Sequence, residues 1–136
     1  MINVEKLKDA ERVLRVFLVC LLAMTAMYKL SIGGDHFVEW YKPKFTNNPY
    51  GLSMSLIDLF MRSIAYVEIL LAIGLLINKT REITLYCYFA FLTVLMFGHF
   101  ALSEFHEVNG LFDYMLAGLL LLVLPKHPKL FSVNKS

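Results

Sequence analysis

Glu68 has the strongest claim to chemistry in this chain. It lies within residues 62–77, RSIAYVEILLAIGLLI, a run apolar enough for the interior of a lipid bilayer. A carboxyl at that depth costs at least about 2.5–3.5 kcal/mol on insertion scales, so it turns to a partner or a cavity. Lys29, Arg62, His99 and Asp113 are the candidates to join it. A carboxylate accepts a hydrogen bond or a proton, a neighbouring lysine or arginine sets its charge state, and an imidazole can act as ligand, relay or binding group. On helices rising about 1.5 Å per residue, Lys29, Arg62, His99 and Asp113 fall at similar depth and Glu68 about 9 Å deeper.

Small residues indicate where these groups point. Glu68 has Ala65 and Ala72 on its face, Lys29 has Thr25 and Ala26, and Asp113 has Ala117 with Gly118 alongside. Small side chains mark helix–helix contact in membranes, so all three polar groups are expected to face inward. Plainer readings stand beside this one. Lys29, Arg62 and Asp113 can snorkel to a membrane surface with local ion pairing, Asp58 and Arg62 at i,i+4 for example. His99 can be a hydrogen-bonded structural histidine, and His106 with Glu104 and Glu107 reads as a solvated surface. Glu68 is too deep to snorkel easily and is assigned a functional or assembly-specifying role.

No nucleophile–base pair and no closed zinc spacing occurs, so an enzyme acting alone is not expected. Cys20 and Cys87 both fall in apolar segments and are read as packing residues. Tyr28, Tyr66 and Tyr114 are read as interface or packing residues. A heme pair would need a second membrane histidine. No cofactor motif is evident, and a quinone is the one cofactor left open.

The elements that must position these residues follow from composition. Hydrophobic residues make up 58% of 136, charged residues only 18%, and mean hydropathy is +0.61. Soluble domains are about 45–50% apolar, so an integral membrane protein is expected, as a single domain over residues 1–136. The net charge of +2, without a basic stripe, excludes a nucleic-acid partner. Four spans are expected at about 13–32, 57–77, 83–102 and 110–125, giving an all-α four-transmembrane-helix bundle. Residues 3–15 form an amphipathic helix capped by Asn3 that lies on the membrane surface and runs into span one, with Arg15 snorkelling. The acidic residues Glu5, Asp9 and Glu11 and the lack of a cleavage site argue against a removed signal peptide.

Gly33-Gly34 breaks the first span, and an aromatic loop with Phe37, Trp40, Tyr41 and Phe45 is expected at the interface as a short amphipathic segment ending before Pro43. Residues 47–51, NNPYG, signal a turn. Nine of the 13 basic residues, among them Lys6, Arg12, Lys79, Arg81, Lys126, Lys129 and Lys135, fall on one side, which places both termini in the cytoplasm.

The pattern resembles the DoxX-like family of small four-helix membrane proteins over residues 12–125. The resemblance is carried by an arginine in the first span, Tyr28-Lys29-Leu30 at its end, Glu68 followed by Gly74-Leu75-Leu76 and Thr80-Arg81, and His99 late in span three. The aromatic loop fits less well. The resemblance implies Lys29, Glu68 and His99 as a candidate site. The family embraces a subunit linked to thiosulfate:quinone oxidoreduction, proteins of thiol and oxidative-stress systems, and a receptor-assembly chaperone.

Three functions follow as expectations. The first is an accessory or binding subunit whose pocket in the outward half takes a quinone-like amphiphile or a membrane or soluble protein partner. The second is an assembly factor without chemistry, and the third a proton or small-solute pathway. A bacterial cytoplasmic (inner) membrane is the expected location, with a homo-oligomer left open.

Overall fold

The computed structural model describes residues 3–31, 34–128 and 130. They form α1 (Val4–Ser31), α2 (Gly34–Tyr41), a 3-10 turn (Lys42–Phe45), α3 (Met54–Leu76), α4 (Arg81–Ala101) and α5 (Phe105–Val123), with no strand among them. Four of these helices, α1, α3, α4 and α5, are long and apolar enough to cross a membrane. The 19 residues of α5 and the 23 of α3 extend about 29 and 35 Å, close to the hydrocarbon thickness of about 30 Å. The chain is a multi-pass membrane protein in contact with lipid.

The helix boundaries follow local chemistry. Asn3 Oδ1 accepts a hydrogen bond from the Glu5 amide (3.0 Å), and the helix it caps runs from Val4 unbroken into the first span, as expected. Ile32 and Gly33, on which the first span was expected to end, lie outside the described residues. Ser53 Oγ accepts from the Leu56 amide (3.3 Å) and starts α3. Before it, Asn48 donates to the Phe45 and Leu52 carbonyls (3.0 and 3.1 Å) and Gly51 takes φ +64°, which makes the expected turn. α2 does end ahead of Pro43, and the chain passes through that proline in the 3-10 turn. α5 begins at Phe105 rather than 110, because residues 105–109 already form its first turn.

α3 lies between α1 and α4, while α5 packs on α4 and touches α1. Leu18 and Leu22 of α1, Leu71 and Leu75 of α3, Leu85 and Tyr88 of α4 and Leu121 of α5 build the main core. The buried positions of α1, Glu11, Arg15, Leu18, Leu22 and Ala26, recur every three or four residues on one face. A second core sits at the end away from the termini, where Val38 and Phe45 fold back on Ile57, Met61 and Ile64 of α3. The outer faces carry large apolar side chains, with Phe17, Leu59, Leu70, Phe112 and Val123 all more than half exposed. Lipid, unlike water, imposes no penalty on them. Cys20 and Cys87, expected in the packing, are exposed on those outer faces because neither falls on its helix's inward stripe.

Gly74 marks the closest approach of α3 and α4: a Cβ there would run into the Thr84 side chain. Gly110 on α5 has open space around the same position. Overpacking a helix contact costs about 1–3 kcal/mol, and helical Gly is about 0.5–1 kcal/mol worse than Ala. Gly74→Val should therefore lower the thermal unfolding midpoint in detergent, whereas Gly110→Ala should leave it unchanged or raise it.

Candidate functional site

Glu68 and Lys29 meet across the α1–α3 contact. Lys29 Nζ donates to Glu68 Oε1 at 2.5 Å, with the two side chains 17% and 7% exposed. Ala26, Ala65 and Ala72 are buried around them and let the helices close in. Thr25 lies beside the carboxylate, its hydroxyl donating to the Leu22 carbonyl at 3.1 Å. Glu68 Oε2 is buried with no hydrogen bond. Lys29 Nζ also lies 5.5 Å from the centroid of Phe37 on α2, a cation–π distance.

His99 occupies the same end of the bundle at the close of α4. Its Nδ1 is 2.9 Å from Glu104 Oε2, and Lys44 donates to the other carboxylate oxygen at 2.7 Å. Lys44 Nζ stands 4.9 and 4.8 Å from the Trp40 and Tyr41 ring centroids, and the Tyr41 ring meets His99 edge-on at 6.1 Å. Glu104 was read as solvated surface; the fold brings the 3-10 turn against it and leaves it 24% exposed. Burial pushes its carboxyl up, but the hydrogen bonds from Lys44 and His99 and their charges outweigh this and hold it below the ordinary carboxylate range. Burial, reinforced by the Glu104 and Glu107 charges, pushes the Tyr41 phenol up, so it stays a hydrogen-bond donor.

Between these two groups lies a cavity of about 120 Å³ lined by Lys29, Tyr41, Phe60, Ile64, Leu95 and His99. It shares Phe45, Phe60, Met61 and Gly98 with an apolar groove of about 480 Å³ along α3 and α4. On the other side of Lys29 a cavity of about 300 Å³ is lined by Ser31, Asp35, Arg62 and Tyr66. Lys29 thus borders both a mainly apolar cavity and a polar one.

No family model, curated protein or solved structure matches this chain.

The structure does not gather all five candidates. Arg62 is 54% exposed and pairs with Asp58 (3.1 Å) and Asp35 (3.4 Å), not with Glu68. Asp113 is exposed, and no hydrogen bond or ion pair reaches it among the described residues. Its inward orientation was inferred in part from Gly118, which is buried against Tyr88 and Phe89. Five residues, however, turn a helix by about 140°, so the two occupy different faces.

A second ionic cluster, at the end carrying the termini, escaped the sequence reading. Glu11 and Arg15 are 0% exposed and Arg81 2%. Glu11 accepts from Arg81 Nε (2.8 Å) and the His127 amide (3.1 Å), while Arg15 Nη1 donates to Asn78 Oδ1 (2.6 Å). Arg81 also donates to the Leu121 and Leu124 carbonyls, and Asn78 to the Pro128 carbonyl at 2.8 Å. Arg15 therefore does not snorkel; it spends its charge tying α1 to the α3–α4 turn. The i,i+4 spacing of Glu11 and Arg15 was the available signal.

Removing one partner of a buried ion pair costs about 3–5 kcal/mol by stranding the other charge. Lys29→Met should lower the unfolding midpoint in detergent, and adding Glu68→Leu should recover most of the loss. A double variant as unstable as the single one would show that the stranded carboxylate was not the cause. Glu104 has a pH signature. Its folded carboxyl releases its proton more readily than the unfolded one, so its stabilisation is complete above the ordinary value of 4.5 and is lost as pH falls through the lower folded value. Glu104→Gln should flatten the acid limb of a stability-against-pH curve.

Proposed function

We propose that the chain is a small membrane-bound accessory or binding subunit that takes a quinone-like amphiphile, with its ring between Lys29 and His99 and its tail along the α3–α4 groove. The wall that the cavity shares with the apolar groove carries this reading. A cavity of about 150 Å³ accepts benzene, so about 120 Å³ suits a single ring with its substituents reaching into the groove. The polar lining is sparse and well placed for orientation: an ammonium with protons beyond the one given to Glu68, a phenol and an imidazole. A bound quinone would supply two-electron redox chemistry; the chain's own residues hold and orient its oxygens.

Several finer assignments accompany this reading. The basic residues near the termini and the α3–α4 turn favour a cytoplasmic face there, which puts the cavity in the outward half. Trp40, exposed on α2, suits an amphipathic segment at the headgroup level. The DoxX-like resemblance, a bacterial inner membrane and a redox partner protein fit this picture. Asp113 favours a second reading, an assembly factor: a bare carboxylate on a span's outer face is satisfied when another helix brings it a polar partner. A second copy in a homo-oligomer would serve equally as that partner.

Trp40 is the sole tryptophan and adjoins Tyr41, which lines the cavity. In mild detergent, a benzoquinone with a decyl tail should quench its fluorescence saturably, and Tyr41→Phe, which removes a donor to a ring carbonyl, should weaken that binding about tenfold, the worth of about one hydrogen bond. Identical, non-saturating quenching in both proteins would reject the amphiphile site. Retained binding with client assembly lost on Asp113→Asn would instead favour the assembly reading.

A further inference from the structure

We infer that the cavity selects the hydroxyl-bearing, reduced form of its ring ligand over the carbonyl form, because Glu104 fixes which nitrogen of His99 can face that ligand. This rests on the amphiphile reading of the site. Glu104 Oε2 lies 2.9 Å from His99 Nδ1, and a carboxylate only accepts hydrogen bonds. At acid pH the imidazolium donates from both nitrogens and its charge acts on Glu104; the neutral imidazole carries its proton on Nδ1, and Nε2 presents a lone pair. Nε2 has no hydrogen bond among the described residues, while His99 lines the cavity.

The rest of the lining makes the choice of ligand asymmetric. Lys29 and Tyr41 offer donors, and His99 offers an acceptor. A hydroquinone satisfies both: one hydroxyl oxygen accepts from Lys29 or Tyr41, and the other hydroxyl donates to Nε2. A quinone has only acceptor oxygens, so one carbonyl would face the Nε2 lone pair and leave both unsatisfied. Lys44 holds the second oxygen of Glu104 at 2.7 Å and keeps the carboxylate in position, which makes Glu104 and Lys44 positioning residues.

The wild-type chain in detergent at about pH 8, where a histidine of ordinary pKa is neutral, supplies the test, by anaerobic calorimetric titration with a short-chain benzoquinone and with its hydroquinone. The hydroquinone should bind at least about tenfold more tightly, the worth of about one hydrogen bond. Glu104→Gln, whose amide can donate to Nδ1 as well as accept from it, frees the imidazole to reverse its tautomer; the ratio should fall toward one while both rings still bind. Equal affinities in the wild type, or a ratio unchanged in Glu104→Gln, would overturn the inference and leave the site intact. Failure of both rings to bind would overturn the amphiphile reading itself.

Discussion

Lys29 and Glu68 join α1 to α3 at 2.5 Å, in a bundle whose outer face is apolar. Lipid cannot hydrate either charge, so each is tolerable there only because the other is present. The alanines around the pair follow from this need: Ala26, Ala65 and Ala72 let two backbones approach until an ammonium reaches a carboxylate. Pairing also leaves something over. Glu68 Oε2 stays buried without a hydrogen bond, and Lys29, which lines two cavities, has donors beyond the one given to Glu68. A pair that was saturated on every side would be purely structural; this one keeps capacity for a third participant.

The cluster of Glu11, Arg15, Asn78 and Arg81 shows the contrasting case. Its members bond one another and the carbonyls that close α5, and its three charged side chains are almost wholly excluded from the surface. Through it α1, the α3–α4 turn, α4 and the segment after α5 are tied together at one end. The opposite end is built from shorter pieces, α2 and the 3-10 turn, packed on α3 around Val38 and Phe45. One end is thus closed by buried ion pairs, and the other holds a lined cavity.

The candidate site depends on those short pieces. α2 brings Phe37 to Lys29 and Tyr41 to His99, and the 3-10 turn carries Lys44 to Glu104. Without them His99 would stand at a helix end beside solvent. With them the carboxylate on its Nδ1 is held by Lys44 and a mainly apolar cavity lies beside it.

Much of this was legible in the sequence. Runs of about 20 apolar residues separated by short polar turns suffice to define four spans, because hydrocarbon thickness sets helix length and a dry environment forces helix. Depth along a helix is also readable at 1.5 Å per residue, which is why Lys29 and His99 could be placed near one level. Rotation around the helix and the choice of partner were not readable. Asp113 shares its depth with Lys29 yet faces outward, Arg62 pairs with Asp58 and Asp35, and Arg15 turns inward rather than toward water. Glu104 meets His99 five residues away at the end of α4, but a turn 60 residues upstream brings Lys44 to its other oxygen. Periodicity along one chain fixes which residues share a face and a level. Which faces meet is settled by the packing of all helices at once, and only the tertiary structure holds that information.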